Sequence, residues 1–211
     1  MNNLTQEQFL PEVKDHVLTV LKEDGVYRHL RFGRPESSIC SFNIVTWPGH
    51  LCYSGDMGTF VFHRLHDMFE FFRSRSGKLE INPSYWSEKV EARDRDGITQ
   101  YEPEIFTRRV REHVAEYIRY ERDKSESNYE SNLKDNNARL QRLILEVRED
   151  VLTHSEFEVE ARHAADDFEF EGRLVFQDFW ETDLHDFTHR FIWCCYALVW
   201  GIKQYDARMK S

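Results

Sequence analysis

The sequence predicts an α+β protein with an N-terminal helix, an antiparallel β-meander and a mainly helical C-terminal half that ends in a buried helix. Short β-type runs separated by turn residues occupy residues 26–63, and helical patterns dominate residues 64–211. Only 9 glycines and 5 prolines interrupt the chain, which favours long regular elements. We expect a single domain over residues 1–211, with the polar residues 125–137 as a candidate boundary.

The first predicted element is a helix over residues 5–24. Thr5 and Gln8 have the spacing of a capping box, and an apolar repeat at helical intervals starts at Phe9. Gly25 ends this pattern, as glycine commonly does after a helix.

A β-meander is predicted next, because each apolar run is followed by turn residues. Pro48 and Gly49 stand where a type II turn requires them, and a hairpin loop bracketed by glycines occupies residues 54–58. Asp56 in this loop is either a turn residue, which we favour, or an exposed functional carboxylate. The predicted strands are residues 26–32, 38–47, 51–53 and 59–62.

The remaining elements are predicted to be helices. Asn82 and Pro83 form an N-cap and first-turn pair, and Pro103 opens a longer helix. Residues 157–176 carry both a strand-like and a helix-like apolar pattern, and we interpret them as mostly helical. The predicted helices are residues 66–73, 82–92, 103–124, 140–151, 157–176 and 182–205.

Negative charge is concentrated in one part of the chain. The formal net charge is −10, and residues 155–186 alone hold eleven acidic residues against Arg162 and Arg173. Such a run is typical of a solvated face. It also fits a surface that offers carboxylates to a basic groove as a decoy for phosphates. The residues predicted to bind a partner are Glu158, Glu160, Asp166, Asp167, Glu169 and Glu171.

Aromatic residues interleave with this acidic stretch. Exposed aromatic side chains often anchor protein interfaces, so any that lie on the surface would strengthen the binding interpretation. The aromatic residues concerned are Phe157, Phe168, Phe170, Phe176, Phe179 and Trp180.

Direct nucleic-acid binding is not predicted. The most arginine-rich helix, residues 104–124, alternates its arginines with acidic residues, which favours a salt-bridged solvated face. The sequence contains no P-loop, no GxGxxG motif after a strand, no GxSxG motif and no paired CxxC motifs. We therefore expect no cofactor.

His185, Asp186 and His189 form the pattern closest to a metal or catalytic site. On a helix, His185 and His189 would share one face and could bind one metal ion. The pattern resembles the HExxH motif of zincins with aspartate in place of glutamate, although that family needs a third ligand. The interpretation that we favour is a polar edge on a buried helix, so we expect no catalytic residue and no bound metal.

The four cysteines predict reduced thiols. The adjacent Cys194 and Cys195 would point to different helical faces and behave as small core residues. Cys40 or Cys52 would be a nucleophile only beside a histidine of a neighbouring strand. With no secretory signal and no apolar run long enough for a bilayer, we expect a soluble cytoplasmic protein without membrane contact.

Three sequence blocks resemble uncharacterised accessory proteins encoded by bacteriophages and prophages. The blocks are NIVTWPGHLCYSGDMGTFVF at residues 43–62, HDMFEFFR at residues 66–73 and FIWCCYALVWGIKQYD at residues 191–206. The resemblance supplies no catalytic residues. It implies a protein of the infected host cytoplasm with a role such as countering host defence.

Taken together, the charge pattern and the resemblance predict a protein that acts by binding. The expected partner is a host protein or nucleoprotein complex of defence or nucleic-acid processing, inhibited through the acidic surface. Two alternatives stay open: a metal-dependent enzyme acting on nucleotide or nucleic acid at His185, Asp186 and His189, and a protein that sequesters a small molecule beside residues 47–58. The sequence predicts no oligomeric state.

Overall fold

The computed structural model describes residues 4–74, 76–126 and 133–210, and it has the predicted α+β architecture. The α-helices are α1 (Gln6–Val13), α2 (Met68–Phe72), α3 (Pro83–Ser87), α4 (Pro103–Glu126), α5 (Leu133–Glu146), α6 (Glu158–Asp166) and α7 (His189–Arg208). The strands are β1 (Val17–Asp24), β2 (Tyr27–Gly33), β3 (Phe42–Trp47), β4 (His50–Gly55), β5 (Gly58–His63), β6 (Val90–Arg93), β7 (Thr99–Tyr101), β8 (Glu169–Phe170), β9 (Arg173–Leu174) and β10 (His185–Phe187). A π-helical segment, Val147–Val151, continues α5, and short 3-10 turns occupy Leu152–His154 and Phe179–Glu181.

The predicted meander is confirmed as β2 to β5, the four central strands of a six-stranded antiparallel sheet in the order β1-β2-β3-β4-β5-β6. Alternate residues of β3 are buried, with Phe42, Ile44 and Thr46 on the inner face, as the two-residue period of a strand requires. Gly49 has a φ of 83° between β3 and β4, a conformation that glycine adopts without steric cost. Local turn chemistry therefore fixes the path of the central strands. Two further sheets have two strands each, β7 with β10 and β8 with β9.

The chain forms two compact units. Unit 1 comprises Met1–Gln100 and Phe187–Ser211, and unit 2 comprises Tyr101–Asp186. Each unit has a hydrophobic cluster of its own. The expectation of a single domain over residues 1–211 stays a prediction.

In unit 1, α7 lies against the inner face of the sheet. A Cβ atom added at Gly201 would lie 3.0 Å from Cδ1 of Ile44 and 3.1 Å from two ring atoms of Phe32. Glycine thus lets the helix backbone approach two fully buried side chains. The side chain of Thr188 caps the helix by accepting a hydrogen bond from the backbone N–H of Phe191 at 3.2 Å.

In unit 2, the apolar stripes of α4 and α5 form the core, as their periodicity predicts. Phe106 and Val110 of α4 and Leu143 of α5 are fully buried. The π-helical segment adds Val151 to the same cluster. The hydroxyl of Tyr101 donates to the carbonyl of Ser155 at 2.8 Å, which ties the first residue of the unit to the turn before α6.

The helix predicted over residues 5–24 is wrong beyond its first part. α1 ends at Val13, and β1 begins at Val17 and pairs with β2. Leu18 and Val20 of β1 pack against the core of unit 1 at alternate positions. Apolar residues that suit helical spacing also suit a strand here, and pairing with β2 decides between the two.

Two other predicted helices are shorter than expected. The one predicted over residues 82–92 ends with α3, because the residues after it form β6 and extend the sheet beside β5. The one predicted over residues 157–176 is helical only in α6 and continues as the β8–β9 hairpin. Glu171 and Gly172 form its turn, both with positive φ. The candidate boundary at residues 125–137 lies partly outside the described residues.

Within the described ranges, the structure contains no helix long and apolar enough to cross a membrane.

Candidate functional site

A groove of about 650 Å³ in unit 2 is bordered by four exposed carboxylates. Asp150 comes from the π-helical segment, Glu160 and Asp167 from α6 and its C-cap, and Glu169 from β8. We call this feature the acidic groove. Its lining residues are Asp150, His154, Val159, Glu160, His163, Ala164, Asp167, Phe168 and Glu169.

The sequence of α6 explains how the groove acquires its charge. Ala161 and Ala165 are fully buried and hold the helix against the core of unit 2. Glu160, His163 and Asp167 follow one another at intervals of three and four residues, so they share a face next to the buried one. A short helix with small buried residues thus presents acidic and imidazole side chains to the groove.

The charge of the groove is not compensated within the described part of the chain. None of Asp150, Glu160, Asp167 and Glu169 has an ion-pair partner among the described residues, and no arginine or lysine lines the groove there. Carboxylates of one sign around a concave surface reinforce one another's potential. The groove is therefore suited to a cationic group.

Two of the six predicted partner-binding residues are neutralised instead. Glu171 accepts hydrogen bonds from Arg139 and Arg142, each at 2.6 Å, and Glu158 lies 2.9 Å from Arg162. The hydrogen bond from Arg139 and the charge of both arginines hold the pKa of the Glu171 carboxyl below its usual value. These two carboxylates stabilise unit 2 and contribute little free charge.

The structure therefore divides the predicted binding residues into three groups. Glu160, Asp167 and Glu169 line the acidic groove. Glu158 and Glu171 are ion-paired, whereas the half-buried Asp166 is not among the groove residues. Their role in binding a partner stays a prediction.

Two of the six interleaved aromatic residues are exposed and could act as anchors. Phe157 is 59% exposed and Trp180 is 64% exposed, while the other four are buried. Phe157 is the N-cap of α6, and the backbone carbonyl of Trp180 accepts a hydrogen bond from Arg162 at 3.2 Å. Large apolar side chains held by structured backbone on an acidic surface are typical of interface anchors.

The helix predicted over residues 182–205 begins only at His189, so the helical placement of His185 and Asp186 is wrong. His185 and Asp186 lie in β10, whereas His189 is the first residue of α7. The spacing of four therefore does not put the two imidazoles on one helical face. In unit 2, the ring of His185 lies 3.3 Å from Glu158 and 3.5 Å from Asp183, so its contacts are those of a surface side chain between carboxylates.

The cysteines have the environment of core residues. Cys194 and Cys195 are fully buried, and burial raises the pKa of both thiols well above the ordinary value. Burial also raises the pKa of Cys40 and of the half-buried Cys52. A nucleophilic cysteine needs the opposite shift. These environments favour packing over nucleophilic chemistry.

The loop between β4 and β5 is explained by local structure. The carboxylate of Asp56 accepts a hydrogen bond from the backbone N–H of Cys40 at 2.9 Å, and Cys40 has a φ of 55°. A Cβ atom at Gly55 would lie 2.2 Å from the carbonyl oxygen of Ser41. Asp56 thus stabilises an unusual backbone conformation in the neighbouring loop, in agreement with the turn interpretation.

At the opposite end of β4 from this loop, the outer face of the sheet carries a row of stacked rings. The rings of Trp47 and His50 are 5.0 Å apart, and those of His50 and His63 are 4.5 Å apart. Both imidazoles lie within 3.4 Å of the Glu91 carboxylate. A small-molecule site near residues 47–58 stays a prediction.

Sequence reasoning missed Asp150, His154 and His163. Asp150 lies before the start of the acidic stretch, and the π-helical segment that brings it to the groove leaves no recognisable sequence pattern. The spacing of Glu160, His163 and Asp167 was the signal that could have revealed a common face.

Among the described residues, no group of three or more histidine, cysteine, aspartate or glutamate side chains is arranged to hold a metal ion. Comparisons with protein-family models, with curated proteins and with solved structures find no match for this chain.

Proposed function

We propose that this protein acts by binding, and that the acidic groove receives a basic segment of a partner protein. The groove offers carboxylates where that segment otherwise meets nucleic-acid phosphates, so binding blocks the partner's access to nucleic acid. The observation that carries the proposal is the set of four exposed groove carboxylates, which have no ion-pair partner within the described chain.

The charges alone favour rapid encounter, and the exposed aromatic residues add affinity. Complementary charge raises association rates and selects partners, whereas buried aromatic anchors supply much of the binding free energy. Phe157 and Trp180 are the exposed aromatic residues of unit 2's acidic stretch that can be buried by a partner.

The resemblance to phage and prophage accessory proteins supports a host target. A basic nucleic-acid groove belongs to many defence and nucleic-acid-processing complexes, and a compact acidic surface is a direct way to occupy it. In this proposal the protein is an inhibitor of such a complex, and it needs neither a catalytic residue nor a cofactor.

Affinity capture from infected host cells, followed by titration of the purified partner, tests the proposal. The decisive variant carries Glu160→Lys, Asp167→Lys and Glu169→Lys. Close interfacial charge pairs are worth about 1.5 kcal/mol or more, so we expect the affinity to fall by about tenfold or more for each pair lost. Wild-type binding should weaken as salt rises, and an oligonucleotide should compete for the partner.

A matched control distinguishes the loss of the groove carboxylates from the change in net charge. Asp15→Lys, Glu80→Lys and Glu116→Lys make the same charge change at exposed positions outside the groove. The control should retain most of the affinity. If both triple variants bind equally well, or if the partner binds oligonucleotide and this protein at the same time, the decoy proposal is wrong.

A further inference from the structure

A second groove in unit 2 is apolar and has a volume of about 810 Å³. It lies between the middle of α4 and the region where α5 passes into the π-helical segment. We call it the apolar groove. Its lining residues are Thr107, Val110, Arg111, Val114, Ala115, Ile118, Ile144, Val147, Arg148, Leu152 and Thr153.

Buried valines form the most enclosed part of this groove. Val110, Val114 and Val147 are at most 8% exposed, whereas Ile144 is 50% exposed. An isoleucine half open to solvent at the edge of a concave apolar surface gains free energy when a ligand covers it. The volume falls within the range of roughly 300–1,000 Å³ typical of small-molecule sites.

The π-helical segment shapes the groove. Val147–Val151 interrupts the α-helical hydrogen-bond pattern after Glu146, and Leu152–His154 then forms a 3-10 turn. This sequence of turns brings Ile144, Val147 and Arg148 to the same groove as Leu152 and Thr153. Single π-helical turns within helices are frequent at functional sites.

Two exposed arginines also line the groove, Arg111 from α4 and Arg148 from the π-helical segment. Neither has an ion-pair partner among the residues for which the structure gives side chains. Arg109, by contrast, pairs with Glu112 on the same helix. A guanidinium stays protonated at physiological pH and binds carboxylates through two parallel hydrogen bonds.

We propose that the apolar groove binds a small amphipathic carboxylate, a hydrocarbon chain that ends in a carboxylate group. The chain covers Val110, Val114 and Ile144, and the head group meets Arg111 and Arg148. A second copy of the protein fits less well, because a two-fold contact through this groove brings four guanidinium groups together. A nucleic acid also fits less well, because its phosphate backbone would pair with the arginines but leave the apolar surface uncovered. This site is independent of the acidic groove and of its partner.

Calorimetric titration with straight-chain carboxylates, below the concentrations at which they aggregate, tests the proposal. Octanoate, decanoate and dodecanoate should bind with one-to-one stoichiometry, and each added methylene should tighten binding about fourfold. Acetate, which has the head group alone, and dodecanol, which has the chain alone, should bind at least tenfold more weakly than dodecanoate. Equal binding of dodecanol and dodecanoate would overturn the role of the arginines.

Two pairs of variants locate the site. Ile144→Asn should weaken dodecanoate binding at least tenfold, whereas Leu145→Asn, at a neighbouring residue that is 55% exposed and outside the groove, should not. The double variant Arg111→Gln, Arg148→Gln should weaken the binding of dodecanoate but not of dodecanol. The control is the double variant Arg119→Gln, Arg173→Gln, which should bind dodecanoate like the wild type. All four substituted arginines are exposed, so the variants should fold.

The alternatives have distinct outcomes. If sedimentation shows a dimer that Ile144→Asn dissociates, the occupant of the apolar groove is a second copy of the chain and the carboxylate proposal is wrong. Absence of carboxylate binding to the wild type, or equal loss in the Ile144 and Leu145 variants, would refute the proposal.

Discussion

Arg139 donates a hydrogen bond from Nε to Oε2 of Glu171 at 2.6 Å, across 32 residues of sequence. Arg142 donates to the other oxygen of the same carboxylate, and both guanidinium groups lie over the ring of Phe170. Glu171 has a φ of 53°, in the left-handed region that residues with a side chain rarely adopt. The two ion pairs thus hold a strained turn residue in place.

Substitutions of Glu171 should distinguish the contribution of the ion pairs to stability from the cost of the backbone strain. Glu171→Gln removes the charge and keeps the strain, and we expect it to lower the free energy of unfolding by about 0.5–1 kcal/mol, since solvent screens the exposed pairs. Glu171→Gly removes the pairs and also relieves the strain, so it should be less destabilising. Urea denaturation at low salt and at high salt measures both effects. A glycine variant less stable than the glutamine variant would contradict this account.

Acidification should remove the stability that Asp67 provides. Burial alone would raise the pKa of Asp67, but hydrogen bonds from Arg28, at 2.8 and 2.9 Å, and from the N–H of Phe69 outweigh it, so the pKa lies below the ordinary 3.8. A carboxyl with a lowered folded-state pKa stabilises the fold above its unfolded-state pKa. That contribution is lost as the pH falls through the lowered folded-state value.

Asp67→Asn isolates this ion pair, because asparagine keeps the N-cap of α2. Near neutral pH we expect the variant to lose about 2 kcal/mol of unfolding free energy, the typical worth of hydrogen bonds to a charged group. The difference from wild type should be constant above about pH 5 and shrink below about pH 4. Thermal melts across this pH range check the prediction, and a difference that persists unchanged at low pH would count against it.

Gly201→Ala should destabilise unit 1 although alanine is the better helix former. The added methyl group would lie 3.0 to 3.1 Å from Ile44 and Phe32, whose fully buried side chains have little room to move. We expect a net loss of about 1–3 kcal/mol, typical of overpacking. Ala207→Gly, at an exposed position in the last turn of the same helix, shows the effect of the same exchange without contacts to the core. If chemical denaturation shows that Gly201→Ala stabilises the protein, the side chains of Ile44 and Phe32 can move to accommodate the methyl group and the prediction is wrong.

Thiol modification should report the opening of unit 1. Cys194 and Cys195 are fully buried with strongly raised pKa values, so they should react only when the core opens. Cys52, half-buried on the sheet, should react first in the native protein. Mass spectrometry after timed exposure to a thiol reagent gives the order, with Cys52→Ser as the control. Fast native-state reaction at Cys194 would contradict the structure.

The sequence predicted the elements that local chemistry controls. Pro48 and Gly49 predicted the turn between β3 and β4, and the apolar pattern of α7 predicted a buried helix. β1 and β6 were missed because each is made a strand by pairing with a neighbour, an interaction that no local pattern reveals.

The candidate site was predictable in its composition but not in its arrangement. The acidic stretch identified Glu160, Asp167 and Glu169. It could not show that Glu171 is neutralised, because Arg139 and Arg142 lie far away in sequence. It also could not show that a π-helical turn brings Asp150 to the same groove.

The discontinuity of unit 1 has a consequence during protein synthesis. The sheet is translated before unit 2, and α7, which covers its inner face, is translated after unit 2. Phe32, Phe42 and Ile44 therefore leave the ribosome without their cover, whereas unit 2 is contiguous and can fold at once. The apolar inner face of the nascent sheet therefore stays exposed until α7 emerges, and a chain truncated before α7 would expose that face permanently.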